Sequence, residues 1–507
     1  VGANRKFGDF GVDISVGGNQ RTSRFDQNVV LVQDFVVRDL YTVMNGRVKD
    51  PFYDLFEKKI NSLYGAAEFS YREFLYLNIT ARNDWFSTLS QANRSILYPS
   101  ANGSFVFSQA FANLPEWISY GKVRAGYAEV GSDGDVAPYA NSLYYSVNNN
   151  LFPNVTGAAQ PVGVIPATTV PNPDLKPMRV SEAEFGVEVK FFDNRLGVDF
   201  TYYDKISKDQ ILAAQISDAS GYTAKLINVG KSKNSGVEVL LTGTPIQTTN
   251  FRWDVSFNGS YNTSEVLDLG PGVTEIIVGG DPGNNSIRQV VGEQVGGLYV
   301  TSYLRDDQGR QVFDSNNGRP LRGPAPIRVG SAVPRYFGGI TNSFNYKGVS
   351  LSVLIDFKLG HYLGSQTNFN LWRHGLHKET LNGREQGYVV GDGVNQQGEV
   401  NTVQTPLQTY YETVNTSGIR EQFAYNAGFW KLRQISIGYD FTKLLPSNNF
   451  IRGLRLSAVA NNVAILKKWV PNIDPEQFGN VSDREIGLEN TGLPTSRSIG
   501  FNLNVKF

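Results

Sequence analysis

Few residues in this 507-residue chain have the types and spacing that chemistry needs. No nucleophile triad, glycine-rich phosphate loop or paired-carboxylate signature stands out, so the expectation is a protein without enzymatic activity. His374 and His377 lie three apart in WRHGLH (Trp372–His377) and could share a metal on a helix. A third ligand is not evident, and the pair falls in a long connection. Asp133 and Asp135 flank Gly134 in SDGDVAP (Ser132–Pro138). Such spacing could open a Ca²⁺ loop, but the full ligand set does not follow, and a solvated turn explains it too. The expectation is no cofactor, with a loop Ca²⁺ left as the alternative. RNDW (Arg82–Trp85) reads as a polar strand end with an interfacial Trp rather than a contact to a bound molecule. What remains is aromatic: Tyr144, Tyr145, Phe152, Trp372, Tyr410 and Tyr411 lie in the connections, with Arg373 beside Trp372. Aromatic faces stack on sugar rings and on peptide side chains alike. For each of these residues the ordinary alternative is packing inside the loops.

The elements that must hold these residues are strands. SRSIGFNLNVKF (Ser496–Phe507) alternates Ile499, Phe501, Leu503, Val505 and Phe507 with Ser498, Gly500, Asn502, Asn504 and Lys506. One apolar and one polar face suits the wall of a bilayer-embedded barrel, apolar side to lipid and polar side to a wet lumen. The same period recurs in Phe10–Val16, Leu75–Ala81, Ala183–Val189, Leu196–Tyr202, Phe251–Phe257, Val349–Phe357 and Ile435–Phe441. The pattern gives about fourteen strands. Short links at 71–73, 192–195, 245–250, 346–348 and 442–450 alternate with long ones near 19–59, 131–177, 264–334, 359–427 and 464–494. Outer-membrane barrels show this asymmetry between periplasmic turns and outer loops. With the first of these strands running upward, the last runs downward and leaves Phe507 in the periplasm.

Composition agrees. Lys+Arg and Asp+Glu are both 47, which argues against a nucleic-acid binder. Cysteine is absent, which excludes a disulfide scaffold or thiolate metal site. Tyr (25), Phe (31) and Gly (52) are abundant, as β structure favours. No apolar run is long enough for a transmembrane helix. The mean hydropathy of −0.27 conceals strands whose lipid face is hidden in alternation. A β-sandwich is the rival fold, but its inner face would have to bury Glu182, Glu184, Glu188 and Lys190. The beginning, VGANRKFGDFGVDISVGGN, is not a signal peptide and reads as mid-strand, so a chain that is the C-terminal part of something longer is expected.

Several stretches are more specific. YLNITARNDWFSTL (Tyr76–Leu89), ILYPSANGSFVFS (Ile96–Ser108) and ISYGKVRAGYAEVGSDGDVAPY (Ile118–Tyr139) resemble segments of the SusC/RagA-type TonB-dependent transporters. So do the stretches Asn172–Leu212, Asn228–Ile246 and Pro334–Gly360, then FWKLRQISIGYDF (Phe429–Phe441), NNVAILKKWVPNIDPE (Asn461–Glu476) and the final strand. The resemblance runs in order over most of the chain. It implies the all-β fold of a transmembrane antiparallel β-barrel, here about the last fourteen of some 22 strands over residues 1–507, with the family's plug domain outside this chain. It implies import of a bulky nutrient, an oligosaccharide or an oligopeptide, across a Bacteroidetes-type outer membrane. The partners it implies are the TonB–ExbB–ExbD system, a SusD-like lipoprotein lid, the barrel insertion machinery and a dimer of transporter–lid pairs. Phe507 then resembles an insertion signal, and Trp372, Arg373, Tyr144, Tyr145, Tyr410 and Tyr411 become candidate substrate or lid contacts. A passive channel and a structural or adhesion barrel remain the alternatives.

Overall fold

The computed structural model describes residues 1–134, 136–147, 152–165, 168–446, 450–477 and 486–507. Among these, fifteen strands are hydrogen-bonded in one sheet, each beside its chain neighbour. They are β1 (Gly2–Phe7), β2 (Phe10–Phe35), β3 (Gly46–Tyr71), β4 (Leu75–Phe86), β5 (Ser95–Phe105), β6 (Ile118–Ser132), β7 (Met178–Phe191) and β8 (Leu196–Lys208). Then follow β9 (Lys231–Gln247), β10 (Phe251–Asp268), β11 (Tyr336–Tyr346), β12 (Val349–Leu359), β13 (Phe429–Asp440), β14 (Gly453–Lys468) and β15 (Ser498–Lys506). The chain is all-β, as its alternation predicts.

The count of about fourteen falls one short of the sheet, and β1 carries least of the pattern. Its residues, GANRKF, show no apolar alternation. Pairing with β2, from Gly2 opposite Ser15 to Phe7 opposite Phe10, makes it a strand. Gly8, at φ 60°, supplies the left-handed step the tight turn requires.

The expected loop at 19–59 is a correction. Most of it is strand: β2 and β3 are 26 residues each, and only 36–45 connects them. Both faces of this stretch are exposed, so neither must be uniformly apolar, and the period-2 signal fades while the ladder persists.

The apolar face of the strands is the exposed one. Leu75, Leu77 and Ile79 of β4 are 47%, 42% and 44% exposed, and Ile499, Phe501 and Leu503 of β15 are 70%, 79% and 63%. A sandwich would bury that face. On the polar face, charges pair across strands: Arg179 with Glu129 at 2.7 Å, and Lys122 with Glu188 at 3.3 Å. Links between strands alternate in length except around 87–94 and 106–117, where the second is the longer. The turns at 8–9, 72–74, 192–195, 248–250 and 347–348 fall on one set of strand ends, with 106–117 and 441–452. The links 36–45, 87–94, 133–177, 209–230, 269–335, 360–428 and 469–497 fall on the other.

By contact density the chain divides into two units. The first comprises Val1–Phe105, Arg124–Glu184 and Lys205–Lys231. Its core lies where β4 and β5 meet the connections, with Phe86 and Ile96 of those strands buried together with Leu89, Val136 and Leu175. The second comprises Val106–Val123, Phe185–Asp204 and Ser232–Phe507, and its cores lie in the connections 269–335, 360–428 and 469–497.

Ile79 distinguishes a lipid-facing wall from a water-facing sheet. Ile79→Arg is expected to cost about 2–4 kcal/mol if the side chain faces the bilayer midplane, against about 0.5 kcal/mol or less on an ordinary surface. Denaturant titration of the protein in lipid vesicles measures the difference.

Candidate functional site

The second unit gathers most of the candidate residues in three connections that lock onto one another. Ser365 ends a short strand (Tyr362–Ser365) and caps helix α1 (Gln366–Arg373), accepting the Asn368 N–H. That strand pairs antiparallel with Ala424–Asn426 and parallel with Leu488–Glu489, so the last long connection is threaded into the previous one. Glu489 is wholly buried and has no ion-pair partner among the described residues. Its carboxylate accepts from Ser365 Oγ (2.7 Å), Thr367 N (2.9 Å), Thr367 Oγ1 (2.7 Å) and Thr491 N (2.6 Å). Four donors, two of them from Thr367 in the first turn of α1, replace the water a buried carboxylate loses. Asn368, also wholly buried, donates to Pro471 O and accepts from Asn472.

A second lock is ionic. Lys431 of β13, 3% exposed in its side chain, lies 2.6 Å from Asp474 and 2.7 Å from Glu476. Arg433, on the same face of β13, reaches Asp356 of β12 at 2.6 Å and Glu476 at 2.8 Å. Lys358 adds a third cation to Glu476 at 3.3 Å. Burial opposes ionisation of Asp474 and Glu476. Hydrogen bonds from Lys431 to both, from Thr495 to Asp474 and from Arg433 to Glu476 outweigh it, and hold both carboxyls below their ordinary range. His361 stands beside this cluster, and burial, then the Lys358 cation, push it down to about 4.

Within 360–428, α1 packs on helix α2 (Leu407–Thr416) through rings. Trp372 meets Tyr411 edge-on at 5.2 Å and Phe423 at 5.9 Å, and Phe369 meets Phe423 at 5.5 Å. Tyr411 is 6% exposed and donates to Asn382 O at 2.8 Å. Trp372 and Tyr411 therefore pack edge-on against each other inside the loop, Tyr411 buried and Trp372 partly so. Tyr410 is half-buried against Tyr411, and burial pushes its hydroxyl up to about 12. Arg373 bonds His374 Nε2 at 3.1 Å and Asn415 at 3.3 Å. Arg420 lies over the Phe369 ring at 3.4 Å. Desolvation pulls it down to about 10, so it stays cationic at neutral pH.

The remaining candidates lie elsewhere. Tyr144 and Tyr145 are exposed at 54% and 77% in connection 133–177 of the first unit. His374 and His377 are not joined by a third ligand, since no group of three metal-binding side chains occurs among the described residues. Asp133 is buried and already engaged by Thr88 (2.8 Å) and Lys58 (3.7 Å), while Asp135 lies outside the described residues. Arg82 and Asp84 of RNDW bond each other at 2.8 Å, and Arg82 also bonds Ser62 at 2.7 Å and Tyr98 at 3.1 Å, a cluster that ties β3, β4 and β5. Phe507 follows β15 and contacts Phe450, ring centroids 5.1 Å apart.

Sequence reasoning missed both locks. Lys431 and Arg433, two apart on one strand face, with Asp474 and Glu476 two apart downstream, were a usable signal. Glu489 had none, because its partners are hydroxyls and backbone.

Residues 2–463 match the family described as TonB dependent receptor-like, beta-barrel. TonB-dependent receptor P3 of Formosa agariphila is 24% identical over 537 aligned positions, covering 99% of this chain and 51% of that protein. TonB-dependent receptor SusC of Bacteroides thetaiotaomicron is 24% identical over 436, covering 82% and 41%. The chain spans about half the length of the curated relatives it matches most fully. The structure of the RagAB peptide transporter superimposes with a TM-score of 0.79 at 19% identity, over 100% of this chain and 54% of that one, a likeness of fold.

Two expectations follow. Lys431→Met strands Asp474 and part of Glu476 without charge balance, a loss on the order of 3 kcal/mol. Hydrogen exchange should show 469–477 deprotected while β4 and β5 are unchanged. The pH response follows from the shifted groups. His361 stays neutral in the fold while its unfolded counterpart protonates near 6.5, so protection of this region should fall as pH drops from about 6.5 to 4. Asp474 and Glu476 are held low, so their contribution is whole above the ordinary carboxylate pKa and is lost only in stronger acid. Exchange corrected for its intrinsic pH dependence checks the order.

Proposed function

The chain belongs to the TonB-dependent receptor-like β-barrel family of the outer membrane, and from that premise we propose that it is the barrel portion of a nutrient importer. The cargo is a bulky oligosaccharide or oligopeptide. Energy comes through TonB–ExbB–ExbD, which contacts a part of the protein outside these residues. A SusD-like lipoprotein caps the outer side, and the barrel insertion machinery reads the end at Phe507, leaving the C-terminus in the periplasm. The family is one of transporters and receptors, not of enzymes.

The observation that carries this reading is the family match across residues 2–463, on strands whose exposed face is apolar and whose opposite face pairs charges. The locked connections support it further. Loops tied down by buried charge offer a rigid surface to a cap, at little ordering entropy when it docks. A SusC relative and a RagA-type fold are consistent with a capped transporter.

Extraction of the native protein from outer membranes in mild detergent, followed by mass spectrometry of everything that co-purifies, tests the proposal. A polypeptide much longer than these 507 residues, with a lipoprotein in equal amount, is expected. Strains lacking the protein should then lose growth on one polymeric nutrient but not on its monomers. A barrel of this length alone, with no growth defect on any polymer, would sink the importer.

A further inference from the structure

The charge locks of the second unit leave out one buried cation. Arg420 lies just before a single 3-10 turn (Glu421–Phe423), where its N–H donates to Thr301 O at 2.9 Å. The residue is 8% exposed, and its Nη1 is shut off from solvent without a hydrogen-bond partner. No carboxylate among the described residues pairs with its guanidinium. Other arginines of the same connections are paired: Arg305 with Glu421 at 2.6 Å, Arg310 with Asp306 at 2.6 Å and Arg328 with Glu293 at 2.7 Å. A buried cation without an anion is heavily penalised, so the exception calls for an acceptor.

Arg420 is covered instead by Phe369, 1% exposed, whose ring centre lies 3.4 Å from the guanidinium carbon. Stacking occupies a face of the ion and returns part of its lost hydration. The N–H donors point outward in the guanidinium plane, and the ring does not serve them. Asp281 is the acid that acts on Arg420, but its carboxylate already accepts from Gly283 N at 2.7 Å and from Asn284. Arg373 lies over the same Phe369 ring at 5.6 Å, and Arg322 donates to Ser417 O at 3.3 Å. Gly418, at φ 67°, lets Arg322 come close, since a Cβ there would stand 3.1 Å from Arg322 Nη1. Arg420, Arg373 and Arg322 therefore gather at the turn 417–420 with Asp281 as their acid, an excess of positive charge among the described residues.

We propose that Arg420, seated on Phe369 and supported by Arg373 and Arg322, is a binding site for one oxyanion of a solute, a carboxylate or phosphate group. A guanidinium held flat on a ring presents its N–H fork in a fixed plane, the geometry that pairs with two oxygens of such a group at once. Arg373 and Arg322 are less buried and add charge on the solvent side. Like charges gathered at a partly open turn raise the local concentration of mobile anions. Arg420 is buried by this chain's own connections, so its need for an acceptor does not arise at a sheet edge. The site is read from packing and charge and does not depend on the importer reading.

Hydrogen exchange of the full-length protein in detergent at pH 7 tests it, with acetate or inorganic phosphate at about 20 mM compared with chloride at equal ionic strength. Exchange at 415–423 should slow at least threefold in one or both oxyanions while β4 and β5 are unchanged. Slowing by acetate assigns a carboxylate ligand, and slowing by phosphate alone a phosphoryl group. Arg420→Met should abolish the effect. Arg373→Met, at the end of α1, keeps the test open if Arg420→Met fails to fold, and should raise the oxyanion concentration for half the effect at least threefold. Equal exchange in acetate, phosphate and chloride overturns the site and means that a carboxylate of the protein itself serves Arg420. Slowing that survives Arg420→Met, or is indifferent to Arg373→Met, overturns it as well.

Discussion

A strand facing lipid has no water to satisfy its N–H and C=O groups, so each must bond a neighbouring strand. The sheet from β1 to β15 follows from that constraint. Every strand lies beside its chain neighbour, which keeps the links between them short on one set of ends. β1 shows that the backbone requirement outranks side-chain pattern: Gly2–Phe7 has no apolar alternation, yet it is held in register with β2. Given the ladder, the side chains have only two places to go. Leu75, Leu77 and Ile79 stay exposed on one side, and Glu129, Arg179, Glu188 and Lys122 neutralise one another on the other.

Past the strand ends the constraint relaxes and a different one takes over. The long connections must hold a defined shape over many residues with modest cores. In the second unit this is done with clustered charge, buried at Lys431 and Asp474 and partly exposed around them. Lys431, Arg433 and Lys358 meet Asp474, Glu476 and Asp356, and among the described residues Glu489 is held by hydroxyls and backbone N–H groups. Buried ion pairs contribute little net stability compared with apolar packing, but a wrong arrangement strands a charge and is heavily penalised. Such clusters therefore select one loop arrangement over its neighbours. A binding surface built from loops needs that selectivity more than it needs extra stability.

The aromatic residues divide on the same principle. Trp372 and Tyr411 sit between α1 and α2 and serve the loop core, whereas Tyr144 and Tyr145 stay open to solvent. Sequence alone could not separate them, since both pairs lie in polar connections of similar composition. The separation comes from burial, which a neighbouring helix supplies or withholds. The β2–β3 ribbon makes a related point. Thr22–Gln33 and Val48–Lys59 keep a continuous ladder without a uniformly apolar face.

The sequence by itself determined the wall. Period-2 alternation in Leu75–Ala81, Val349–Phe357 and Ile499–Phe507, the absence of a long apolar helix and the motifs from Tyr76 to Phe441 were enough for strand order, fold class and family, because those features are local or follow chain order. Only the tertiary structure decided the rest. It placed Lys431 against Asp474, 43 residues away, and Ser365 against Glu489, 124 away. It turned residues 19–35 and 46–59 from loop into strand and withdrew Tyr411 from the surface. Each of these depends on which distant segment happens to lie alongside, and no local pattern of charge or hydrophobicity encodes that proximity.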